Sequence, residues 1–392
     1  MKRYVIIGGG IAGTTAAEAL RGLDAEADIT VIGEEDERLY SRVLLPHYIK
    51  GKVEREKVYL KKPDWYETHN ITYQSGVFVS RIDVKNRFVA TSESREIPYD
   101  ALLVTTGGEV NLFDEDLRGV SYFRTLADAD QLVKLIGEVK TLPKDEQKVA
   151  VYGGGFIALE YMNMFAHEGF DTTLLMRGIG FWSRMLSDVS QDVLLRYAKA
   201  QGVTVQMGVK DVTFVGDKEL SAVVFDGETV PARILGVGIG IHTEKALLKD
   251  AGIEVEAGVV ANEFLETNVK NVYTAGDVAE FYDTIVDRRL VAGNWMNAIM
   301  QGRTVAKTMH GERTAFALVS SYATNLLGKE IVFVGDTSRA HAEMIVQQVA
   351  DEENAIELFE RDGKTVGAIL IGNVTTRQAI TNAIKQKERY VA

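Results

Sequence analysis

Two glycine-rich segments are the part of this sequence best suited to hold a reactive ligand. The first, Gly8–Gly13, reads GGGIAG and the second, Gly153–Ala158, reads GGGFIA, so both fit the pattern G-x-G-x-x-G/A. In such a turn the first glycine permits a tight bend, the second lets the backbone approach a pyrophosphate, and the third small residue lets a helix pack closely on a strand. Unpaired N–H groups at the start of that helix then face the phosphates. The predicted contacts come from Gly8, Gly10, Ile11, Ala12 and Gly13 in the first turn and from Gly153, Gly155, Phe156 and Ile157 in the second.

The residue that ends the strand after the first turn completes a dinucleotide site. Glu34 lies there, and a carboxylate about 20 residues beyond the glycines can accept hydrogen bonds from the two hydroxyls of a ribose. Glu35 takes this place if the strand ends one residue later. A glycine turn alone is a weak signal, but a strand before it, a helix after it and an acid beyond them favour a nucleotide site.

The second segment differs at this position. Aligning the two segments strand on strand places Arg177 where the first has Glu34, and Met176 precedes it, so no carboxylate is available there. A guanidinium suits a 2′-phosphate, and Arg184 is a second candidate cation. This pattern favours NADPH over NADH as the second dinucleotide. The alternative is that Arg177 turns outward and pairs with Asp188 or Glu168 on the surface.

Composition excludes several kinds of chemistry. The 392 residues include no cysteine, which excludes disulfides, thiol nucleophiles, and iron–sulfur or zinc sites with thiolate ligands. Any redox chemistry must therefore use a bound cofactor, and we predict no metal site. A formal charge of −12 argues against nucleic acid as a partner. No apolar run approaches the roughly 18 residues of a membrane span, so we expect a cytoplasmic protein.

The elements that position these residues follow from the pattern of apolar positions. A strand, a glycine turn, a helix and a second strand occur twice, which predicts an α/β fold with two Rossmann-like units. The predicted strands and helices of these repeats are residues 4–7, 11–20 and 29–32, then 149–152, 156–167 and 172–175. Beyond about Gly311, four strand candidates precede one helix over 376–387, which predicts a small C-terminal α+β domain.

Two further segments make the chain resemble a known family. A Thr-Thr-Gly turn lies between the two glycine-rich segments, and Ala-Gly-Asp follows a late strand. The whole pattern resembles the FAD/NAD(P) oxidoreductases of the pyridine nucleotide-disulfide oxidoreductase fold, also called glutathione-reductase-like. It is most similar to the rubredoxin and ferredoxin reductases and the flavoprotein part of nitrite reductases. The resemblance covers residues 4–311 and extends into the C-terminal domain.

This resemblance implies a domain organisation and a function. FAD would bind a domain made of residues 1–110 and 240–311, the nicotinamide nucleotide would bind residues 111–239, and residues 312–392 would form the C-terminal domain. The implied activity is electron transfer from NAD(P)H through FAD to a small carrier protein, a rubredoxin or ferredoxin. An NAD(P)H oxidase, a quinone or small-molecule reductase, and a non-catalytic redox sensor are the alternatives. The resemblance also leaves a homodimer open.

The family's residues near the flavin carry over to two positions here. Glu160, on the second predicted helix, matches a glutamate that pairs with a lysine in many members. His47 stands where that lysine is found, so the positive partner of Glu160 is open, because histidine is charged only part of the time near neutral pH. By resemblance we expect Glu160 and His47 to be catalytic.

The remaining positions are implied as cofactor-binding by the resemblance alone. Arg42 would contact a phosphate or the flavin edge, and Val79 would pack on the adenine. Asp277 would accept a hydrogen bond from a ribityl hydroxyl, and a helix that starts near Asn294 would face the flavin pyrimidine. The other implied positions are Thr105, Thr106, Gly107 and Trp295 for FAD and Gly238 for the nicotinamide nucleotide. Docking of an acidic carrier would require a local basic patch, for which the candidates are Lys50, Lys52, Arg55, Lys57, Lys61 and Lys62. The alternative is that these cations, interleaved with Glu54 and Glu56, form a solvated surface helix or loop.

Overall fold

The computed structural model describes residues 1–114, 117–182, 185–339, 344–348 and 351–391. The chain divides into two compact units. The first unit consists of residues 1–43, 55–109 and 242–320, and the second of residues 44–54, 110–241 and 321–392. No helix in the described part of the chain is both long enough and apolar enough to cross a membrane.

Most elements are short. The described α-helices are, in chain order, α1 (Ile11–Leu23), α2 (Leu45–Ile49), α3 (Trp65–Thr68), α4 (Leu126–Val139), α5 (Phe156–Glu168), α6 (Asp188–Ala200), α7 (Ala246–Asp250), α8 (Trp295–His310) and α9 (Arg377–Gln386). The described strands are β1 (Arg3–Ile7), β2 (Asp28–Gly33), β3 (Ile71–Ser75), β4 (Val79–Asp83), β5 (Phe88–Thr91), β6 (Glu96–Pro98), β7 (Ala101–Val104), β8 (Glu109–Val110), β9 (Val120–Tyr122), β10 (Lys148–Tyr152), β11 (Asp171–Met176), β12 (Thr204–Met207), β13 (Thr213–Gly216), β14 (Leu220–Phe225), β15 (Glu228–Pro231), β16 (Ile234–Val237), β17 (Ile241–His242), β18 (Val259–Ala261), β19 (Val272–Thr274), β20 (Ala279–Asp283), β21 (Arg288–Val291), β22 (Ser321–Leu326), β23 (Lys329–Gly335), β24 (Met344–Gln348), β25 (Ala355–Arg361) and β26 (Lys364–Ile371).

The first unit is built on a parallel sheet of order β19-β7-β1-β2-β3. Its central strands are buried on both faces, which explains the unbroken apolar runs YVII and ALLV in the sequence. Small residues let α1 approach α8 closely, since a Cβ on Gly302 would lie 2.5 Å from the Ala12 carbonyl oxygen. Two three-stranded sheets, β4-β5-β6 and β18-β20-β21, complete this unit.

The second unit repeats the arrangement and adds the C-terminal sheet. Its parallel sheet has the order β12-β11-β10-β16-β9. The segment between β12 and β16 forms a separate three-stranded sheet of order β13-β14-β15. The C-terminal strands form an antiparallel sheet of order β22-β23-β26-β25-β24, and α9 packs on β23 and β26. Together with the first sheet, this confirms the predicted α/β fold with two Rossmann-like sheets.

The boundaries of the units differ from the predicted segments at three places. Residues 44–54, which carry α2, group with the second unit because α2 packs against α4 and α5. Residues 312–320 group with the first unit, and the C-terminal sheet groups with the second. Which dinucleotide each unit binds stays a prediction.

Candidate functional site

The first glycine turn has a geometry that only glycine satisfies at two positions. Gly8 has φ 112°, and its N–H donates to the Ile32 carbonyl at 2.8 Å. A Cβ on Gly8 would lie 2.2 Å from the Thr105 carbonyl oxygen, and one on Gly13 would lie 2.1 Å from the Gly8 carbonyl oxygen. The chain therefore passes closer to its neighbours here than any side chain allows.

Gly10 has the opposite surroundings. It is the N-cap of α1, and a Cβ built on it would meet no atom within 4 Å. The N–H groups in the first turn of a helix have no acceptor within the helix. In α1 these groups belong to the residues directly after Gly10, next to the open space. Half-buried Ile11 and buried Ala12 carry these groups. An open cradle at a helix N-terminus fits the pyrophosphate of a dinucleotide.

The two acids after β2 are in different environments. Glu34 is exposed, and among the described residues it has neither an ion pair nor a side-chain hydrogen bond. Glu35 is engaged: it pairs with Arg42 and accepts a hydrogen bond from the Tyr40 hydroxyl. Burial alone would lower the pKa of Arg42, but Tyr40 and Glu35 raise this pKa above its ordinary value. Glu34 is thus the carboxylate available to a ribose, while Glu35 holds a cation.

The Thr-Thr-Gly turn braces the first glycine turn from the next strand. The Thr105 N–H donates to the Ile7 carbonyl at 2.8 Å, and its hydroxyl donates to the carbonyls of Ile7 at 2.9 Å and Gly8 at 3.1 Å. Thr106 is exposed, and Gly107 has φ 72°. Thr105 therefore fixes the turn from behind, while its neighbours reach the surface.

Asp277 follows a tightly bent backbone at the end of β19. Gly276 has φ 85°, and its N–H donates to the Gln301 side-chain oxygen at 2.7 Å. A Cβ on Gly293 would lie 3.7 Å from the Asp277 carboxyl group, so a second glycine keeps the space beside this carboxylate open. The absence of a side chain at Gly293 leaves room for a polar ligand to approach the Asp277 carboxylate.

Asn294 begins α8, as the sequence suggested. Its side-chain oxygen accepts from the Asn297 N–H at 3.0 Å, and its side-chain amide donates to the Ser320 hydroxyl at 2.8 Å. Trp295 is the first residue of the helix and is half-buried. The 16 residues of α8 give it a full helix dipole, with the positive end at this cap.

Val79 is part of the apolar core. Its side chain is only 8% exposed and lies in a buried cluster with Ile32, Val77 and Ile82. Core packing explains a valine here, and contact with an adenine ring stays a prediction.

The second glycine turn repeats the first. Gly153 has φ 134°, its N–H donates to the Leu175 carbonyl at 2.9 Å, and a Cβ on it would lie 2.2 Å from the Gly238 carbonyl oxygen. Gly238 must itself be glycine, because its Cβ would lie 2.6 Å from the Ala158 nitrogen. Gly155 is the N-cap of α5, before half-buried Phe156 and Ile157.

Aromatic side chains surround the start of α5. The Phe156 ring lies 4.9 Å from that of Trp182, 5.0 Å from that of Tyr322 and 5.3 Å from that of Phe333, measured between centroids. A Cβ on Gly155 would lie 3.9 Å from the indole nitrogen of Trp182. Sequence reasoning missed this cluster, although two apolar aromatics directly after a Gly-Ile-Gly loop were a visible signal.

Arg177 occupies the place that the alignment predicts. In the strand register of the second sheet Lys148 lies opposite Asp171, as Arg3 lies opposite Asp28 in the first sheet. Counting six residues along the second strand from these positions shows that Arg177 and Glu34 are equivalent. Arg177 is exposed, its charge lowers the pKa that burial raises at Tyr152, and no described residue forms an ion pair with it. Glu168, one of the alternative partners of Arg177, forms an ion pair with Lys140 instead, at 2.6 Å. Arg184 lies outside the described residues.

The charge of Lys50 acts on the carboxyl group of Glu160. Burial raises the pKa of the Glu160 carboxyl group, and the charge of Lys50 opposes that rise. Burial lowers the pKa of His47, and Lys50 and Lys52 lower it further, so His47 favours its neutral form. Lys50 lies three residues after His47, as the C-cap of α2, and the sequence analysis did not connect it with Glu160.

Part of the predicted basic cluster is neutralised locally. Arg55 pairs with Glu37 at 3.0 Å. Lys61 pairs with Glu18 at 2.8 Å and lies over the Trp65 ring at 3.9 Å from its centroid. These two cations stabilise the first unit itself and contribute little field for docking a carrier.

Known proteins share both sequence and fold with this chain. The family described as pyridine nucleotide-disulphide oxidoreductase matches residues 2–302. A nitrite reductase [NAD(P)H] of Bacillus subtilis strain 168 is 28% identical over 99% of the chain and 47% of its own length, so the chain spans about half of that relative. The biphenyl dioxygenase system ferredoxin–NAD(+) reductase component of Paraburkholderia xenovorans LB400 is 27% identical over 97% of the chain and 92% of its own length.

The fold comparison agrees with the sequence comparison. The covalent putidaredoxin reductase–putidaredoxin complex contains a chain that superposes with a TM-score of 0.90 at 22% identity, covering 98% of this chain and 93% of that one. The match of fold, the two glycine turns and the extent of the family match all point the same way. The chain belongs to the pyridine nucleotide-disulphide oxidoreductase family.

Proposed function

We propose that the chain is an FAD-dependent NAD(P)H oxidoreductase that passes electrons to a small carrier protein of the rubredoxin or ferredoxin type. The family couples a flavin to a pyridine nucleotide. The observation that carries the proposal is the pair of glycine turns, each at the start of a helix, with an exposed carboxylate after one and an exposed guanidinium after the other. When bound, the cofactors supply the redox chemistry, a hydride passing from nicotinamide to flavin and electrons leaving from the flavin.

The first unit supplies the residues that would hold FAD. The N–H groups after Gly10 would bind the pyrophosphate, and Glu34 would accept from the ribose hydroxyls. Asp277, with open space beside it, would accept from a ribityl hydroxyl, and the positive end of α8 at Asn294 would stabilise negative charge on the flavin.

The second unit supplies the residues for the nicotinamide nucleotide. Gly155 begins the helix that would bind its pyrophosphate, and Gly238 lets the backbone approach closely. We propose NADPH as the preferred donor, because Arg177 offers a planar fork suited to a 2′-phosphate and has no ion pair among the residues that the structure describes. The ferredoxin reductase relative is named for NAD(+), so Arg177 would give this chain a different preference.

The acceptor follows from composition and from relatives. With no cysteine in 392 residues, electrons have no dithiol to pass through and would leave the flavin directly. The relative named as a ferredoxin–NAD(+) reductase supports a protein acceptor. Glu160, whose pKa burial raises against the opposing charge of Lys50, is our candidate for proton handling in the second unit, and His47 stays a predicted catalytic residue.

The experiment reduces the FAD-loaded protein anaerobically with NADPH or NADH and then mixes it rapidly with rubredoxin, ferredoxin, a quinone or oxygen. We expect fast flavin reduction by NADPH and fastest reoxidation by one of the carrier proteins. Faster reoxidation by oxygen or quinone would favour an oxidase or quinone reductase. Failure of both nucleotides to reduce the flavin would favour a redox sensor and contradict the proposal.

A substitution tests the cofactor assignment separately. Gly10→Ala fills the open cradle without a clash in the protein, so we expect it to fold normally and to lose FAD affinity. Gly22→Ala in the same helix is the matched control, because a Cβ there also meets no atom within 4 Å. Equal FAD affinity in both variants would contradict the assignment of the cradle to FAD.

A further inference from the structure

A loop of the second unit connects the strand that ends at Arg177 to the helix α6. We call residues 177–187 the donor loop; residues 183–184 lie outside its described part. The loop returns to the second glycine turn, where the backbone N–H of Trp182 donates to the Gly154 carbonyl at 2.9 Å. The Gly180 carbonyl oxygen lies 3.2 Å from the place of a Cβ on Gly154. The position of the donor loop and that of the glycine turn are therefore coupled through the backbone.

A buried carboxylate from the C-terminal sheet holds the far end of this loop. Glu357, on β25, is 1% exposed. Its Oε1 accepts from the Ser187 N–H at 2.8 Å and from the Ser187 hydroxyl at 2.7 Å. Ser187 is the N-cap of α6, so one carboxylate anchors both the end of the loop and the start of the helix.

Arg339 completes the anchor. Its Nη2 donates to Glu357 Oε2 at 3.0 Å, and its Nε donates to the Met185 carbonyl at 2.9 Å. The arrangement thus satisfies both oxygens of a buried carboxylate, neutralises its charge and holds the loop at a second backbone point. Burying an ion pair contributes little net stability compared with apolar residues of the same size. What the pair supplies here is a defined position for the loop.

The aromatic contacts point in the same direction. The Trp182 ring lies 5.1 Å from that of Phe333 on β23 and 4.9 Å from that of Phe156 at the start of α5. The C-terminal sheet therefore touches the donor loop at its middle, through rings, and at its end, through charges. Both contacts fall between Arg177 and α6, on the segment that would carry the adenosine end of the nucleotide.

We infer that the C-terminal sheet sets the position of the donor loop through Glu357, which is a positioning residue for the adenosine half of the nicotinamide nucleotide. Glu357 acts through Ser187 and Arg339 and touches no ligand itself. The inference rests on the proposed function, since it assumes that a nicotinamide nucleotide binds the second unit. It gives the C-terminal sheet a role in donor binding.

Glu357→Gln tests the inference, and Glu360→Gln is its matched control. Glu360 lies on the same strand, is 3% exposed and accepts from Arg389 Nε at 3.1 Å, and among the described residues it forms no hydrogen bond or ion pair with the donor loop. Titration calorimetry on the oxidised FAD-loaded protein measures the dissociation constants of NADP+ and NAD+. Steady-state kinetics with the reduced nucleotides separate KM from kcat.

Glu357→Gln is expected to raise the dissociation constants and KM about tenfold, the equivalent of one lost hydrogen bond, with little change in kcat. Glu360→Gln is expected to leave nucleotide binding unchanged, while it lowers the thermal stability of the protein about as much as Glu357→Gln does. An equal effect of the two variants on nucleotide binding, or a loss of stability without any change in binding, would overturn the inference.

Ser187→Ala gives a second, milder route if Glu357→Gln does not fold. It removes one of the two hydrogen bonds to Glu357 and a helix cap, so its control is Thr125→Ala, which removes the cap of α4, where Thr125 accepts from the Asp128 N–H at 3.1 Å. Weaker nucleotide binding only in Ser187→Ala supports the inference, and equal binding in both variants contradicts it. If wild-type protein binds neither nucleotide, the proposed function fails instead.

Discussion

The two glycine turns have the same backbone and different side chains. Gly8 donates to Ile32 at 2.8 Å, and Gly153 donates to Leu175 at 2.9 Å. In each turn the first glycine has a positive φ, and its Cβ would lie 2.2 Å from the carbonyl oxygen of the residue that directly follows the neighbouring strand. The feature that we propose to bind a pyrophosphate is therefore common to both turns, because it is made of backbone.

The surroundings of the turns differ in what they offer the rest of the nucleotide. At the end of the strand, one has the exposed carboxylate of Glu34 and the other the exposed guanidinium of Arg177. A Cβ on the middle glycine would meet the Tyr73 ring in the first turn and Met176 in the second. On our proposal, the shared backbone would bind a dinucleotide in each unit, and the side chain at the strand end would determine which one.

Alanine at the first glycine should break each site separately and produce the largest effect. Gly8→Ala and Gly153→Ala each place a Cβ 2.2 Å from a carbonyl oxygen at a positive φ. We expect each unit to lose at least about 3 kcal/mol of stability. Gly8→Ala should release FAD, whereas Gly153→Ala should retain it and lose reduction by the nucleotide. Thermal unfolding and bound-flavin absorbance measure the two effects.

Controls for this prediction lie in helices of the same units. Gly22 in α1 and Gly137 in α4 have no atom within 4 Å of a Cβ, so alanine should stabilise them by up to about 1 kcal/mol. Retention of FAD by Gly8→Ala would contradict the role given to the first turn.

Exchanging the charge at the second strand end should reverse the donor preference. Charge-assisted hydrogen bonds of about 1.5–3 kcal/mol each would favour NADPH by one to two orders of magnitude in kcat/KM. Arg177→Glu removes them and supplies a ribose acceptor, so the variant should prefer NADH. Flavin reduction rates at matched concentrations of the two nucleotides measure the preference.

Lys210→Glu is the control for charge alone, because Lys210 is an exposed cation of the same unit. It should leave the preference unchanged. A wild-type preference for NADH would show that Arg177 does not read the 2′-phosphate.

The smallest effect concerns the protonation of Glu160. Burial raises the pKa of this carboxyl group, so the folded protein binds its proton more tightly than the unfolded chain does. Stability therefore falls as pH rises through the window between the ordinary and the raised pKa. Glu160→Gln removes this loss, and its melting temperature should exceed that of wild type at about pH 8 but not at about pH 4.

Two further variants identify the cation that acts on Glu160. Lys50→Met removes the charge that opposes the rise, so the pKa of Glu160 should increase further. His47→Gln should leave that pKa unchanged. NMR titration of the Glu160 side chain distinguishes these outcomes, and a larger shift in His47→Gln would restore His47 as the partner.

Sequence reasoning reached the features whose determinants are local. A strand, glycines and a helix within some 30 residues predict a Rossmann-like unit, and Glu34 and Arg177 follow from the alignment of two such units. It missed contacts made by residues far apart in the chain. Glu357 and Ser187 are 170 positions apart, and only a glutamate inside an apolar strand marks the anchor in the sequence. The effect of Lys50 on Glu160 was missed because the family resemblance placed His47 at the position of the partner.

The strand order of the first unit has a consequence for synthesis. β19 lies at the edge of the first sheet and pairs with β7, and the Thr274 hydroxyl donates to the Val104 carbonyl across 170 positions. At about 5–20 residues per second, a ribosome needs roughly 10–30 s to make the intervening chain. During this interval β7 presents an unpaired, wholly apolar edge, which is the kind of surface that aggregates. This edge is covered only when β19 has been made and pairs with β7 in parallel register.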